Sequence, residues 1–465
     1  MEKRNRQNLN LSKGTQPMHG NGVIEHNGET FTQVNAFPNW KERISLAAQD
    51  KERVFHNLLT HFNVETLREA FQAQSANKAL GIDGVSKEDY GKNLEANLMN
   101  LADRIHRGSY KPQKKREVLI PKANGKTRPI AISCFEDKLV EWVTGKILEL
   151  VYEPLFIRNS FGFRPNKSAH GAIQATYQSL EKNQRPHVVE IDLASFFNSI
   201  PHGKLMKVIG KRISDKRFKG LIGRFLEVGV LEQSGETTEP DAGTPQGSIM
   251  SPVLANVYLN EVLDQWFVKE FGSYNNIIVR YADDAVFFFK KEETANHFVE
   301  ALEKRIEEYG LALNRDKTGV IRFSRYENHA FSFLNFTFYW DKKRSNGVRH
   351  LRIKTKKETL HRKIQEFYDW IKSERNKMET KELWELAKVK IKGHYNYYGF
   401  WMNQQKLNHF YHEASRSMFK WLNRRSQKTS YLWVDFQRKL AFNPLPVPPP
   451  IHQLKQLGRN PYAKV

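Results

Sequence analysis

The residues best suited to chemistry are two adjacent aspartates, Asp283 and Asp284. They interrupt an apolar run over residues 277 to 289, which predicts two buried strands folded about a tight turn. Two carboxylates a few Å apart oppose each other's ionisation unless a cation lies between them. Turn chemistry alone also explains such a pair, because Asp tolerates tight turns. A bound metal ion and a simple turn are therefore the two interpretations of this feature.

A third carboxylate favours the interpretation that the aspartates bind a metal ion. Asp192 ends another apolar run, Val188 to Ile191, and is followed by Phe196 and Phe197. If this strand lies beside the hairpin, three carboxylates share one edge of a sheet. Oxygen ligands suit Mg²⁺, which keeps waters and substrate phosphates in its shell. Two ions about 3.5 to 4 Å apart stabilise both the attacking and the leaving oxygen of an in-line displacement, so the pattern indicates nucleotidyl transfer.

The charge balance indicates a polyanionic partner. The 465 residues include 74 Lys plus Arg against 51 Asp plus Glu, a formal net charge of +23, which favours RNA, DNA or an anionic membrane. We find no run of about 18 apolar residues and no signal-peptide pattern, so we expect no membrane partner and a cytoplasmic location. Cys134 is the only cysteine, which excludes disulfides within the chain and a Cys-rich zinc site.

The elements around these carboxylates mix helices and strands. Residues 45 to 110 show helical spacing, and Asn124-Gly125 between two short apolar runs predicts a β-hairpin. The spacing of apolar residues from Phe298 to Tyr309 predicts an amphipathic helix that returns to a strand at residues 319 to 323. After Trp340 the composition shifts to Lys, Arg, Trp and Tyr with helical spacing. The fold class expected is α+β.

Eight short motifs occur in the order found in one known family. They are Gly81-Ile82-Asp83-Gly84-Val85-Ser86, Ile120-Pro121-Lys122 with Lys126-Thr127-Arg128-Pro129, Phe161-Gly162-Phe163-Arg164-Pro165, Ile191-Asp192 with Phe196-Phe197, Gly243-Thr244-Pro245-Gln246-Gly247-Ser248, Tyr281-Ala282-Asp283-Asp284, Lys317, and Phe333-Leu334-Asn335-Phe336. Each is weak alone, but in this order they make the chain resemble a bacterial group II intron-type reverse transcriptase, whose polymerase is followed by a maturase domain. Asn335 departs from the Gly common in the family.

The resemblance implies a right-hand polymerase of the α+β class, with an antiparallel sheet in its palm. We expect a flexible polar tail at 1–35, an N-terminal extension and fingers at 36–190, a palm at 191–345, a helical thumb and maturase (X) domain at 346–440, and a Pro-rich tail at 441–465. We also expect no endonuclease domain, which predicts another route of priming if the element is mobile.

The resemblance also implies roles for individual residues. Asp192, Asp283 and Asp284 would be catalytic metal ligands, joined by the Leu193 carbonyl, and would hold two Mg²⁺ ions for which Mn²⁺ can substitute. The residues implied to bind the incoming dNTP are Lys122, Arg128, Phe197, Gln246 and Lys317. Among them, Phe197 would be the steric gate that excludes a ribose 2′-hydroxyl, and Lys317 would protonate the leaving pyrophosphate.

Further residues are expected to contact nucleic acid. These are Arg164, Tyr397, Arg424 and Arg425. Basic and aromatic residues interleave over 393–399 and 421–426, which favours phosphate contacts together with stacking on unpaired bases. Inward packing of the aromatic side chains is the alternative. His394 is expected to be structural, because no nearby carboxylate and histidine pattern indicates a metal.

The function expected is synthesis of DNA on an RNA template from a DNA primer and dNTPs, with binding of structured intron RNA and assistance to its splicing. Two alternatives remain: a domesticated reverse transcriptase in phage defence, CRISPR adaptation or DNA repair, and an RNA-binding splicing cofactor that does not polymerise. The intact Asp192, Asp283 and Asp284 count against the last, because an unused site has no evident reason to hold three repelling carboxylates together.

Overall fold

The computed structural model describes residues 24–26, 29–31, 39–121, 127–182, 184–232, 234, 236–238, 241–245, 247–272, 275–342, 347–425 and 431–450. The helices are α1 (Trp40–Ala48), α2 (Val64–Ala73), α3 (Lys87–Gly91), α4 (Leu94–Arg107), α5 (Phe135–Tyr152), α6 (Ala169–Glu181), α7 (Phe196–Ser199), α8 (His202–Gly210), α9 (Lys216–Glu227), α10 (Ser251–Leu259), α11 (Gln265–Glu270), α12 (Glu292–Glu308), α13 (Lys357–Glu374), α14 (Thr380–Tyr398), α15 (Gln404–Leu422) and α16 (Trp433–Phe442). A π-helical turn, Asn260–Asp264, joins α10 to α11.

Within the described residues, the strands form four sheets. They are β1 (Ile24–His26), β2 (Glu29–Phe31), β3 (Lys115–Pro121), β4 (Thr127–Ile132), β5 (His187–Ile191), β6 (Val230–Leu231), β7 (Thr237–Thr238), β8 (Ile277–Tyr281), β9 (Asp284–Phe289), β10 (Gly319–Arg322), β11 (Ala330–Phe333), β12 (Phe336–Lys342) and β13 (Arg349–Thr355). The strand orders are β1-β2, β4-β3-β6-β7, β10-β5-β9-β8 and β11-β12-β13. The α+β class predicted from the sequence is confirmed.

The sheet β10-β5-β9-β8 is antiparallel throughout and is buried on both faces. In β9, Phe287 and Phe289 belong to one hydrophobic core, whereas Phe288 belongs to a second. Successive side chains of a strand point to opposite faces, so a sheet covered on both sides needs apolar residues at consecutive positions. This explains the continuous apolar runs, and the predicted strands around Asp192 and the Asp283-Asp284 turn are confirmed.

Helix α12 covers one face of this sheet. The Phe298 ring lies 4.5 Å from Phe287 and 5.1 Å from Phe289, measured between ring centroids. On the other face, Phe288 packs at 6.4 Å against Phe331 of β11. The predicted amphipathic helix is confirmed, and its apolar side holds the sheet against the N-terminal helices.

The hairpin predicted around Asn124-Gly125 is confirmed in its strands. Strands β3 and β4 pair antiparallel, with Val118 opposite Ile130. The tip at residues 122–126 lies outside the described residues.

A buried ion pair joins this hairpin to α5. Lys115 is 1% exposed and Glu141 is fully buried, and their Nζ and Oε1 atoms lie 2.9 Å apart. Glu141 also accepts hydrogen bonds from the Ser133 hydroxyl, at 2.8 Å, and from the Ile249 backbone N–H, at 3.0 Å. This one carboxylate therefore links the hairpin, α5 and the segment that follows Gly247.

Replacing Lys115 by Met should strongly destabilise the fold. It would leave the Glu141 carboxylate buried without its counter-charge, which costs roughly 3 to 5 kcal/mol. The partly exposed pair Lys146–Glu149, at 2.6 Å, provides a matched control, because Lys146→Met should cost only about 0 to 1 kcal/mol. Urea unfolding of both variants measures the difference, and equal costs would contradict the expectation.

The turn between β11 and β12 carries the departure from the family motif. Leu334 and Asn335 both have positive φ angles, 49° and 66°. Asn tolerates the left-handed region better than most residues other than Gly, so it preserves this turn. Asn335 also accepts hydrogen bonds from the Lys356 N–H, at 3.0 Å, and from the Thr359 hydroxyl, at 3.2 Å. The turn is thereby fixed to the first turn of α13.

The remaining helices, α13 to α16, share the second hydrophobic core with the sheet β11-β12-β13. In the part of the chain that the structure describes, no helix has the length and apolar character needed to cross a membrane.

Candidate active site

Two strand ends bring the three predicted carboxylates to one edge of the sheet. Ile191 is the last residue of β5 and pairs with Ala285 of β9. One further step in this antiparallel register places Asp192 opposite Asp284. Asp283 lies beside them in the turn between β8 and β9.

The charges of these carboxylates oppose one another. Desolvation and then the negative charge of Asp192 raise the pKa of Asp283, while Arg128 and Arg280 lower it. The pKa of Asp284 is raised to about 6, first by desolvation and then by repulsion from Asp283 and Asp192. Asp284 keeps contact with solvent at the sheet edge. A site that raises carboxylate pKa values in this way is stabilised by an added cation.

Lys317 supplies one positive charge to the site. Its Nζ lies 2.9 Å from Oδ2 of Asp192. The hydrogen bond to Asp192, followed by the charge of that carboxylate, raises the pKa of Lys317, so the ammonium form is favoured. Asn314 donates to the same Oδ2 at 3.0 Å, and its backbone N–H donates to the Asp192 carbonyl at 2.8 Å. The chain after α12 therefore clamps the end of β5.

The chemistry of these residues suits divalent ions. The only donor atoms of these three aspartates, Asp192, Asp283 and Asp284, are oxygens. A bound cation would offset the electrostatic repulsion among them. Across the described ranges, however, no group of three His, Cys, Asp or Glu side chains is close enough to form a metal site. One reason is that Oδ2 of Asp192 is turned toward Lys317 and Asn314. Leu193, whose carbonyl was predicted to join the ligands, pairs with Leu313 in an isolated antiparallel bridge beside this edge.

A buried polar network lies behind the Ala282-Asp283 turn. Arg280 is fully buried and binds both carboxylate oxygens of Asp264, at 2.7 and 2.6 Å. Its Nη1 also donates to the Asn256 side chain, at 2.9 Å, and to the Ala282 carbonyl, at 2.8 Å. Asn256 in turn donates to the Gly162 carbonyl at 2.7 Å. The network fixes the turn to α10 and to the π-helical turn that carries Asp264.

Sequence reasoning missed this network. The available signal was a charged residue, Arg280, inside the apolar run of β8. A fully buried Arg requires a buried partner. The sequence did not reveal that the partner is Asp264.

Gly162 lies against the same turn from the other side. Phe161 N–H donates to the Arg280 carbonyl at 2.8 Å, which brings this segment alongside β8. A Cβ added at Gly162 would lie 2.3 Å from the Ala282 nitrogen. Only glycine therefore allows this close approach of the two backbones.

Phe197 lies beside the Gly243–Ser248 loop. It belongs to the helical turn α7, not to a strand, and is partly exposed, whereas Phe196 is 2% exposed. Phe197 is therefore the more exposed ring of the pair. Its carbonyl accepts from the Thr244 N–H at 2.6 Å. Gly247 has a φ of 110° and packs against β4, so the loop spans from α7 to the β3–β4 hairpin.

The remaining residues predicted to bind dNTP are placed only in part. Arg128 is exposed on β4, and its charge reaches Asp283, which sets it on the same side as the carboxylates. Lys122 and Gln246 lie outside the described residues.

The residues predicted to bind nucleic acid differ in position. Arg164 gives no support to its predicted contact, because it pairs with Glu153 at 2.7 Å and donates to the carbonyls of Ile157 and Ser160. Tyr397 is near the site: its hydroxyl donates to the Leu334 carbonyl at 3.2 Å, and desolvation, with a smaller contribution from the charge of Asp284, raises its pKa.

The two arginines after α15 also differ from each other. Arg424 is exposed, whereas Arg425 is half-buried and donates to the Met378 carbonyl at 3.0 Å. His394 packs as a structural residue, stacked on Phe410 with 3.6 Å between ring centroids. Desolvation, with help from the charge of Lys363, lowers its pKa to about 3. The imidazole is therefore neutral at physiological pH.

Comparison with known proteins agrees with this geometry. Residues 120–338 match the family model described as reverse transcriptase (RNA-dependent DNA polymerase). The Escherichia coli protein YkfC is 32% identical over 291 residues, which cover 55% of this chain and 74% of that protein. The chain belongs to the reverse transcriptase family. Members of this family generally use divalent metal ions.

The predicted resemblance of this reverse transcriptase to group II intron-encoded proteins is also confirmed. The group II intron-encoded protein LtrA of Lactococcus lactis is 34% identical over 231 residues, 49% of this chain and 38% of LtrA. The putative COX1/OXI3 intron 1 protein of Saccharomyces cerevisiae is 28% identical over 50% of this chain and 28% of its own length. The chain thus matches well under half of either intron protein.

A solved telomerase of Candida albicans, in complex with a fragment of telomeric RNA, is 13% identical. It covers 70% of this chain and 62% of its own, with a TM-score of 0.41.

Proposed function

We propose that this chain is an RNA-directed DNA polymerase that extends a DNA primer on an RNA template, and that it also binds structured intron RNA and assists its splicing. The observation that carries the proposal is the meeting of Asp192, Asp283 and Asp284 at one edge of the sheet, where desolvation and then repulsion between the carboxylates raise the pKa values of Asp283 and Asp284. Within the reverse transcriptase family, such a costly arrangement is expected at a site in use.

The carboxylates would hold two divalent ions, which we take to be Mg²⁺. Asp192, Asp283 and Asp284 would be the ligands, with the Leu193 carbonyl joining them. When bound, the ions would stabilise negative charge on the attacking 3′-oxygen and on the leaving pyrophosphate. Asp283 and Asp284 are held for this role by a turn whose backbone is fixed from behind by Arg280.

The side chains around the carboxylates would bind the incoming dNTP. Arg128 is exposed and close enough to influence Asp283, so its guanidinium could clamp a triphosphate there, together with Lys122. Phe197 is partly exposed beside the Gly243–Ser248 loop, a position suited to packing beneath the sugar and excluding a 2′-hydroxyl. Gln246 in that loop would contact the nucleotide or the base pair.

Lys317 would act on the leaving group. Its Nζ is protonated and two-thirds exposed beside Asp192, so it can donate a proton or a hydrogen bond to the departing pyrophosphate. Because RNA and DNA are the substrates, we place the activity in the bacterial cytoplasm. The resemblance to LtrA, a group II intron-encoded protein, supports intron RNA as the structured partner.

The direct test is incorporation of labelled dNTPs on a poly(rA)/oligo(dT) template with Mg²⁺. We expect incorporation that stops when EDTA removes the divalent ion and resumes when Mg²⁺ is added in excess. Binding of an RNA hairpin by the same preparation provides the control for folded protein. If protein that binds RNA incorporates nothing on this template or on a structured RNA template, the polymerase proposal fails.

A further inference from the structure

Two donors from the segment after α12 hold one oxygen of the Asp192 carboxylate. The Asn314 amide donates to Oδ2 at 3.0 Å, and the Lys317 ammonium lies 2.9 Å from the same atom. A carboxylate oxygen has two lone pairs, so these donors occupy both of them. The amide is neutral, whereas the ammonium is positively charged. The two donors therefore act differently on a cation that approaches this carboxylate.

The backbone around Asn314 is held without the help of its side chain. The Asn314 N–H donates to the Asp192 carbonyl at 2.8 Å, and the Ala194 N–H donates to the Ala312 carbonyl at 2.9 Å. These two hydrogen bonds already join the chain after α12 to the end of β5. What the amide adds is therefore a fixed orientation of the Asp192 carboxylate, and not the attachment of one segment to the other.

The position of Asn314 in the chain makes no demand for asparagine. Its φ of −81° and ψ of 97° lie in the extended region, which any residue with a side chain can adopt. The side chain is half-buried, and its own carbonyl accepts from the Lys317 N–H at 3.1 Å, a bond that any residue can make. A substitution at this position therefore changes the contact with Asp192 and leaves the local backbone as it is.

A carboxylate that binds a metal ion is itself oriented by hydrogen bonds from residues that do not touch the ion. The charge of Asp192 reaches both Asp283 and Asp284, so its orientation affects how the three carboxylates share a cation. A neutral amide can fix that orientation without repelling the cation. The Lys317 ammonium holds the same oxygen but opposes any further positive charge there.

We propose that Asn314 is a positioning residue of the metal site, whose amide holds the Asp192 carboxylate in the orientation that binds a divalent ion. This rests on the proposed function, because that function makes Asp192 a ligand. Asn314 acts through Asp192 and is not itself a ligand. Because Lys317 competes with the ion for the same carboxylate, the two donors to Oδ2 have opposite effects on metal affinity.

The test is the binding of Mn²⁺ to the full chain, followed by electron paramagnetic resonance without nucleic acid or dNTP. Asn314→Leu keeps the approximate size of the side chain and removes the donor, so it should weaken Mn²⁺ binding by about 10- to 100-fold. Asn314→Gln keeps an amide donor on a longer side chain and should recover part of the affinity. Asp192→Asn gives the reference for loss of the ligand.

Lys317→Gln separates the amide contact from a general disturbance of the turn, because Lys317 lies on the 3₁₀ turn that follows Asn314. Removal of the ammonium should raise Mn²⁺ affinity by roughly fivefold or more, the factor for two unit charges about 4 Å apart in water. If Lys317→Gln and Asn314→Leu both weaken binding to the same degree, the turn as a whole is responsible and the proposal is wrong.

The matched control is Asn97→Leu on α4. Asn97 is also half-buried, and its amide donates to the Tyr90 carbonyl at 2.9 Å. This variant should bind Mn²⁺ like the wild type, while its urea midpoint should shift at least as much as that of Asn314→Leu. Mn²⁺ affinity of Asn314→Leu equal to that of this control would overturn the proposal.

The Mg²⁺ dependence of incorporation on poly(rA)/oligo(dT) gives a second readout. In Asn314→Leu the Mg²⁺ concentration for half-maximal rate should rise by about 10- to 100-fold, and the rate at saturating Mg²⁺ should change less. A fall in the saturated rate with an unchanged Mg²⁺ requirement would contradict a role in orienting a metal ligand.

The two proposals can fail separately, because Mn²⁺ binding requires no catalysis. If the wild type incorporates no dNTP while Asp192→Asn and Asn314→Leu both lose Mn²⁺ affinity, the polymerase proposal fails and the role of Asn314 stands. If Asp192→Asn binds Mn²⁺ as tightly as the wild type, Asp192 is not a ligand, and the role of Asn314 fails whether or not dNTPs are incorporated.

Discussion

Replacing Asp283 by Asn should lower dNTP incorporation by about a thousandfold, because metal-assisted stabilisation is worth several kcal/mol and each 1.36 kcal/mol is tenfold in rate. The amide is isosteric but carries no charge, so it is a weak ligand for a hard cation. The free energy of unfolding should stay the same or rise, because the substitution removes a desolvated carboxylate that is repelled by Asp192. Loss of activity without loss of stability is the expected signature of a functional site under strain.

Steady-state incorporation on poly(rA)/oligo(dT) and urea unfolding measure the two quantities. Asp103→Asn on the exposed surface of α4 is the control, because among the described residues Asp103 pairs only with Arg107 on its own helix. Asp283→Asn activity equal to that of this control would exclude Asp283 as a metal ligand. A large drop in the unfolding midpoint would instead show that Asp283 has a structural role.

The sequence predicted the sheet edge well, because the features involved are local. Strand β5 and the β8–β9 hairpin are mostly apolar runs, interrupted by Glu190 and Arg280, and each carboxylate lies where a run ends. A run of this kind identifies a strand that is buried on both faces without any knowledge of its neighbours. The antiparallel pairing of β5 with β9 then brings Asp192 opposite Asp284.

Contacts between distant segments could not be predicted in the same way. Asn314 lies 122 residues from the Asp192 carboxylate to which it is hydrogen-bonded. Glu141 lies 108 residues before the Ile249 N–H that it binds. The local sequence around Asn314 or Glu141 does not identify the residue that each one contacts, since a single polar residue in a helix or loop has many possible partners. Such contacts depend on the packing of elements, which periodicity does not determine.

The direction in which a side chain points was the other feature that the sequence could not predict. The spacing of Trp421 with basic residues fits both a ring that faces a nucleic acid and one that faces the core. The structure has the ring inside and the cations outside. Arg164 shows the same limit, because its motif is present while its guanidinium is used by Glu153 and by backbone carbonyls.

Replacing Gly162 should have the second large effect on activity, because this glycine determines how closely two backbone segments approach each other behind the carboxylates. In Gly162→Ala, the new Cβ would lie 2.3 Å from the Ala282 nitrogen and 3.0 Å from its Cα, both of which are backbone atoms that cannot rotate away. The Ala282-Asp283 turn must therefore shift. Arg280, which is tied to Asp264 at 2.6 Å, resists that movement through the Ala282 carbonyl, so the strain falls on the turn.

We expect incorporation on poly(rA)/oligo(dT) to fall by about a hundredfold, the size of effect that a 1 Å misplacement of a catalytic group can have. Affinity for an RNA hairpin should be unchanged, because the strain falls on the Ala282-Asp283 turn and not on helices α13 to α16. Gly203→Ala is the matched control: a Cβ there meets nothing within 4 Å, and alanine in α8 should be neutral or slightly stabilising. Equal activity of the two alanine variants would show that the position of the Ala282-Asp283 turn does not limit the reaction, and that the close approach at Gly162 serves packing alone.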